Sequence, residues 1–91
     1  SGFVSYVYAN YYGYSLPHSA DGISDYGYAV SIDEIQPGDV FCNDHNGDGY
    51  MDHVSLYIGD GMVVHASTST TGVIVSYVSN LRDVATIRRI V

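Results

Sequence analysis

Two histidines, His53 and His65, are the side chains best suited to proton transfer near neutral pH. They lie in apolar stretches joined by Asp60-Gly61, a dipeptide typical of tight hairpin turns. Pairing outward from that turn places His65 near Leu56, which leaves the two histidines about three residues out of register. A bulge would bring them closer. The sequence therefore allows a side-by-side pair without requiring one, and a hydrogen-bonded structural role is the alternative for each histidine.

Cys42 is the one cysteine, so the chain has no internal disulfide and no thiolate metal cluster. It lies in the apolar stretch Val40-Phe41-Cys42, and a buried cysteine is usually an inert apolar residue. A nucleophilic cysteine is favoured instead at the N-terminus of a helix, where free N–H groups stabilise the thiolate. We therefore expect a packing role for Cys42.

The polar loop from Asp44 to Asp52 is a candidate calcium site. Its acidic and amide side chains follow the first half of a calcium-binding loop, and Asp52 falls on the ninth position. Ser55 stands at the twelfth position, where a Glu is expected. The alternative is an Asx-turn loop between two strands. The candidate ligands are Asp44, Asn46, Asp48 and Asp52.

Length and charge exclude several classes of function. A chain of 91 residues with 46% apolar residues forms one globular domain. Its net charge of −7, with three arginines and no lysine, argues against a nucleic-acid partner. No apolar run approaches the roughly 20 residues that span a bilayer. No basic and apolar leader opens the chain, so we expect any secretion signal to lie upstream.

The elements that must position these residues follow from periodicity. Apolar residues recur at helical spacing from residue 2 to about 12, and Gly13 is a natural end to that helix. Residues 15–25 are predicted to be a loop with one helical turn near Ala20–Ser24. Pro37-Gly38 predicts a tight turn, and His53–Ile58 is predicted to be a strand with one buried face. Residues 67–72 are predicted to be a Ser/Thr turn. The predicted strands are 40–42, 53–58, 62–66, 73–77 and 86–91, with a short extended piece at 27–32. This pattern indicates an α+β fold with about five antiparallel strands.

Five stretches follow one another in a recognisable order. They are Ser1-Gly2-Phe3-Val4, Ser15-Leu16-Pro17-His18-Ser19, Gln36-Pro37-Gly38-Asp39-Val40-Phe41, His53-Val54-Ser55-Leu56-Tyr57-Ile58-Gly59-Asp60-Gly61 and Val64-His65-Ala66-Ser67. Together they resemble the NlpC/p60 family of cell-wall cysteine peptidases, and the resemblance covers nearly the whole chain. It implies a papain-like α+β fold, with residues 1–91 forming a peptidase domain that is incomplete at its N-terminus.

The resemblance also implies roles for particular residues. The family's helix opens with Asp-Cys-Ser-Gly-Phe, so the nucleophile would be the residue just before Ser1. His53 matches the family's base, and His65 matches the residue that orients it. Ser1, His18 and Ser19 match positions that line the substrate cleft. The family commonly has Arg at the position of His18 and an aromatic residue at the position of Cys42.

The implied activity is cleavage of the bond between D-glutamate and a diamino acid in peptidoglycan peptides, without a required cofactor. The implied location is the bacterial cell envelope or its exterior. The alternatives are a non-catalytic cell-wall-binding module, an amidase or acyltransferase on the same residues, and an N-terminal nucleophile at Ser1.

Overall fold

The computed structural model describes residues 2–68 and 72–91. Helix α1 spans Gly2–Val7 and continues as a π-helical turn, Tyr8–Tyr12, and helix α2 spans Ala20–Ile23. Turns of 3₁₀-helix occupy Ile32–Glu34 and Val78–Asn80. The strands are β1 (Tyr28–Ala29), β2 (Val40–Asn43), β3 (His53–Gly59), β4 (Met62–Thr68), β5 (Gly72–Tyr77) and β6 (Val84–Arg89).

The strands form one antiparallel sheet in the order β1-β6-β2-β3-β4-β5. The α+β prediction is confirmed, with six strands in place of about five, because the extended piece near residue 28 pairs with Arg88 and Arg89 of β6. The predicted Ser/Thr turn at 67–72 is only partly testable. Residues 69–71 lie outside the described residues, and those on either side belong to β4 and β5.

The predicted first helix has two parts. Its second half widens into a π-helical turn, and Gly13 ends it with φ 63°, the left-handed conformation that glycine adopts without strain. Tyr8 is fully buried at the junction of the two parts, and its hydroxyl donates a hydrogen bond to the backbone oxygen of Gly38. This bond ties the helix to the Pro37-Gly38 turn, which is present as predicted: the Asp39 N–H donates to the Gln36 carbonyl at 3.0 Å.

Two apolar clusters cover the two faces of the sheet. One joins the helices to β2 and β3 through Val4, Tyr8, Cys42 and Val54, among others. The second lies on the other face and consists of Phe41, Tyr57, Val63 and Ile87. The prediction that β3 has one buried face is therefore wrong. Both of its faces are packed, so all four residues 54–57 are buried.

The β3–β4 hairpin contains a bulge. Asp60 and Gly61 have φ of 57° and 73°, which is the conformation of the predicted tight turn. Gly59 lies opposite Met62, but the next pair inward is Tyr57 with Val63, so the residue at position 58 is left out of the ladder. This one-residue bulge changes which face of the sheet every later residue of β4 occupies, relative to β3.

None of the helices among the described residues is long and apolar enough to cross a membrane.

Candidate active site

The bulge places both candidate catalytic histidines on one face of the sheet. Val63 lies opposite Tyr57, so the two side chains share a face. His65 is two residues beyond Val63, and His53 is four residues before Tyr57, so both point to that same face. Without the bulge, His65 would pair with Leu56 and point to the opposite face. The structure therefore brings together the two residues that the sequence allowed but did not require to meet.

The two imidazoles are in direct hydrogen-bond contact. His53 Nε2 lies 2.7 Å from His65 Nδ1, and the rings meet nearly edge to face, at 74°. Pairing between β3 and β4 ends at Leu56–Val64. Beyond that point β3 pairs with β2 and β4 with β5, so the imidazoles bridge strands that have separated. Helix α1 lies against both strands.

Ser76 extends this contact into a chain of three side chains. His65 Nε2 lies 3.0 Å from the Ser76 hydroxyl oxygen, on neighbouring β5. If the Ser76 oxygen accepts a hydrogen bond from the N–H at His65 Nε2, then His65 Nδ1 accepts a hydrogen bond from the N–H at His53 Nε2. That arrangement leaves His53 Nδ1 with a free lone pair, which is the tautomer a general base needs.

Both imidazoles are held in the neutral form. Burial, followed by the neighbouring charge of His65, lowers the pKa of His53 to about 4. Burial also lowers the pKa of His65. At neutral pH both imidazoles are therefore uncharged, and His53 is able to accept a proton from a nucleophile.

Acid should destabilise the 91-residue chain through this pair. Between pH 6.5 and about 4 the unfolded chain binds more protons than the folded chain, so the free energy of unfolding falls as the pH falls through that window. We expect the His53 imidazole resonance to titrate with a midpoint near pH 4. The His53→Gln variant should lose less thermal stability between pH 7 and 4 than the parent chain. A His53 midpoint at or above pH 6.5 would contradict this reading.

Cys42 has the packing role that the sequence predicts. It is fully buried between helix α1 and the sheet. Burial raises the pKa of its thiol to about 12, although Arg88 partly opposes this effect. A thiol with such a pKa is protonated at neutral pH and is a poor nucleophile.

The predicted cleft residues lie near the start of α1 and in the following loop. His18 is exposed and lines a cavity of about 400 Å³ together with Gly2, Ser5 and Tyr6. Ser19 caps α2, where its hydroxyl oxygen accepts a hydrogen bond from the Gly22 N–H at 3.0 Å. Ser1 lies outside the described residues. A substrate-binding role for Ser1, His18 and Ser19 stays a prediction.

The acidic loop is organised by its own backbone. Asp44 accepts hydrogen bonds from the N–H groups of Gly47 and Gly49 at 2.9 Å. These bonds, led by that of Gly49, lower the pKa of Asp44. Asp52 accepts from the His45 N–H at 2.7 Å, and Asp48 accepts from the backbone of residue 50. No group of three or more His, Cys, Asp or Glu side chains within the described residues is arranged to hold a metal ion. Calcium binding by Asp44, Asn46, Asp48 and Asp52 stays a prediction.

Sequence reasoning missed Ser76 and Arg82. Ser76 lies opposite Val63, so its place beside His65 depends on the register of β4 and β5. Arg82 follows the 3₁₀ turn after β5 and lines the same cavity as the imidazole pair. A signal for Ser76 was available, because it is a polar residue between two apolar ones in a predicted strand, whereas nothing in the sequence placed Arg82 near the histidines.

Comparison with known proteins places the chain in a family. The model of the NlpC/P60 family matches residues 1–86. The chain is 38% identical over 76 residues to murein DD-endopeptidase MepS/murein LD-carboxypeptidase of Escherichia coli K12, covering 84% of this chain and 39% of that protein. It is 36% identical over 67 residues to the gamma-D-glutamyl-L-lysine dipeptidyl-peptidase of Bacillus cereus, covering 72% of this chain and 20% of that protein. The chain thus spans well under half the length of these relatives.

Solved structures agree with this assignment. The peptidoglycan hydrolase RipB of Mycobacterium tuberculosis superposes with a TM-score of 0.85 at 32% identity, covering the whole of this chain and 44% of that one. RipD of the same organism, described as a non-catalytic NlpC/p60 domain protein adapted to peptidoglycan binding, superposes with a TM-score of 0.78 at 25% identity. The latter match covers 94% of this chain and 61% of RipD. The fold, the ordered motifs and the family match together establish that this chain belongs to the NlpC/P60 family.

Proposed function

We propose that this chain is the catalytic part of a cysteine peptidase that hydrolyses peptidoglycan stem peptides. The observation that carries the proposal is the neutral imidazole pair, with His53 Nε2 2.7 Å from His65 Nδ1, in the fold of a family that includes peptidoglycan hydrolases. In this proposal the nucleophile is a cysteine directly before Ser1. Helix α1 begins at Gly2 and contacts both β3 and β4. In this proposal the cysteine meets His53 where the two strands have separated, beyond the Leu56–Val64 pair.

The proposed reaction has two stages. His53 Nδ1 takes the proton of the thiol, and the thiolate attacks the amide carbon to form a carbon–sulfur bond. The carbon–nitrogen bond then breaks, and the departing amine receives the proton from His53. In the second stage His53 takes a proton from water, the hydroxide attacks the thioester, the carbon–sulfur bond breaks, and the departing thiolate takes the proton back from His53 to restore the thiol. His65 and Ser76 are positioning residues that hold the ring and tautomer of His53.

We assign the bond between D-glutamate and the diamino acid as the one cleaved. The name of the Bacillus cereus relative supports this assignment, whereas the name of the Escherichia coli relative points to a DD bond. Cleavage of the D-glutamyl bond and cleavage of a DD bond yield fragments of different mass, so mass spectrometry of the products distinguishes the two activities. We also propose action in the cell envelope or outside the cell, because the substrate polymer lies there.

The competing proposal is a binding module on the same fold. RipD gives it weight, because that protein is described as non-catalytic with a peptidoglycan-binding function. The partly buried His53–His65–Ser76 chain favours catalysis, because removing imidazoles from water costs free energy when, within the described residues, they gain only each other and one hydroxyl as hydrogen-bond partners.

The deciding experiment incubates purified muropeptides with a form of the protein that carries the cysteine before Ser1. We expect new peptides by mass spectrometry, loss of product when that cysteine is changed to Ala, and unchanged activity with a chelator. Saturable binding to peptidoglycan with no released peptide would instead establish the binding module. A fall in melting temperature on chelation, without loss of activity, would identify a structural calcium ion in the Asp44–Asp52 loop.

A further inference from the structure

A second cavity, of about 210 Å³, opens beside the imidazole pair. Its wall combines His53, His65 and Ser76 with the segment that follows β5. That segment contributes Leu81 as an apolar surface and Arg82 as a positive charge. The cavity is distinct from the one near His18, which is lined by α1 and the loop after it.

Arg82 differs from the other two arginines in its bonding. Arg88 donates to the carbonyl oxygens of Tyr26 and Gly27, each at 2.9 Å. Arg89 is bound by the carboxylate of Asp39. The guanidinium of Arg82 is exposed and makes no hydrogen bond or ion pair with any residue in the described parts of the chain. Its charge is therefore available to a ligand.

The backbone beneath this side chain is fixed. The Arg82 carbonyl accepts a hydrogen bond from the side-chain amide of Asn43 at 2.8 Å, and Asn43 is almost fully buried. The carboxylate of the adjacent Asp83 lies 3.1 Å from His45 Nδ1, and the Asp83 backbone carbonyl accepts a hydrogen bond from the Asp44 N–H. These bonds hold the Arg82 backbone at the cavity, while the carboxylate of its neighbour in the chain, Asp83, contacts His45.

We propose that Arg82 binds a carboxylate of the substrate residue on the amine side of the bond that is cleaved. This inference rests on the proposed function. His53 must hand its proton to the departing amine, and His53 also lines this cavity, so the residue bearing that amine comes close to the cavity. The planar guanidinium fork matches a carboxylate with two parallel hydrogen bonds. In a chain of net charge −7, it also supplies the local attraction that an anionic peptide needs.

Two carboxylates of the amine-side residue are candidate ligands of Arg82. One is the second carboxylate of a diamino acid such as meso-diaminopimelate, and the other is the C-terminal carboxylate of a tripeptide. The probes are L-Ala-γ-D-Glu-meso-diaminopimelate with its diaminopimelate α-carboxylate amidated, L-Ala-γ-D-Glu-L-Lys, and L-Ala-γ-D-Glu-L-Lys amide. The first carries only the distal carboxylate on this residue, the second only the terminal one, and the third neither.

The test measures dissociation constants of the 91-residue chain for these peptides by NMR titration, which needs no hydrolysis. We expect at least one carboxylate-bearing probe to bind about tenfold more tightly than the amide control, as for hydrogen bonds to a charged group. Arg82→Gln should remove that preference, and Arg82→Lys should retain part of it. The probe that gains affinity identifies the carboxylate. The matched control is Gln36→Glu, which makes the same change in net charge at an exposed residue that does not line the cavity.

Equal affinities for all probes in the parent chain, or a preference that survives in Arg82→Gln, would overturn the inference. Either outcome is separate from the proposed function, because the hydrolysis experiment tests the nucleophile and these titrations do not. A hydrolase that fails the titration would keep the peptidase assignment and lose the role of Arg82. A chain that passes the titration and releases no peptide would keep Arg82 as a binding residue of a cell-wall-binding module.

Discussion

Replacing His53 by Ala is expected to lower kcat/KM for peptide hydrolysis by about 10³-fold to 10⁴-fold, which is the range of a general base that also activates the nucleophile. The measurement uses the form of the protein with a cysteine before Ser1 and follows release of the amine-side fragment. Without the imidazole, the thiol keeps its proton at neutral pH and the departing amine receives none. No other titratable group lies within hydrogen-bond distance of His65 Nδ1 in the described parts of the chain.

The controls for this variant are measurements of its fold and of its affinity for peptide. His53→Ala should keep its affinity for the uncleaved peptide within about threefold, because Arg82 and the apolar cluster that packs the helices against the sheet are unchanged. His65→Ala removes only the orientation of the base and should cost about 10-fold to 100-fold, with a changed pH profile. Turnover by His53→Ala equal to that of the parent protein would sink the catalytic assignment, whatever the other variants do.

Replacing Arg89 by Ala is expected to lower the melting temperature by about 10–20 °C. Arg89 holds both oxygens of the Asp39 carboxylate, at 3.0 and 2.9 Å, and donates to the Glu34 carbonyl at 2.8 Å. Asp39 is only 2% exposed, and its carboxylate also accepts from the Gln36 N–H at 2.8 Å. Removal of the guanidinium leaves a buried charge without its partner, and such a charge costs much more than the ion pair itself contributes.

The matched control is Arg82→Ala, which removes an exposed side chain that has no hydrogen-bond or ion-pair partner among the described residues, and it should shift the melting temperature by about 3 °C at most. Thermal unfolding followed by circular dichroism measures both variants. The double variant Asp39→Asn with Arg89→Met should be more stable than Arg89→Ala alone, because it leaves no unpaired buried charge. Equal melting temperatures for Arg89→Ala and Arg82→Ala would show that the Asp39–Arg89 pair does not support the fold.

Much of the architecture was predictable because it depends on residues close in the chain. Helical periodicity ending at Gly13, the Pro37-Gly38 turn and the Asp60-Gly61 turn are local patterns, and each is present. The apolar surroundings of Cys42 correctly indicated burial. The two-residue strand β1 escaped firm prediction because its pairing partner, β6, lies about 60 residues away in the chain, as the pair Tyr28–Arg89 shows.

The sequence by itself determined the α+β class, the order of the elements and the choice of the two histidines as candidates for proton transfer. Only the tertiary structure decided that these histidines meet. Their contact depends on a single bulged residue at Ile58, because a shift of one residue moves every side chain of β4 to the other face relative to β3. The positions of Ser76 and Arg82 also depend on tertiary structure. The register of β4 and β5 places Ser76 beside His65, and the hydrogen bond from Asn43 to the Arg82 carbonyl holds Arg82 near the site. Local patterns fix which elements form, whereas register and packing between distant segments fix which side chains touch.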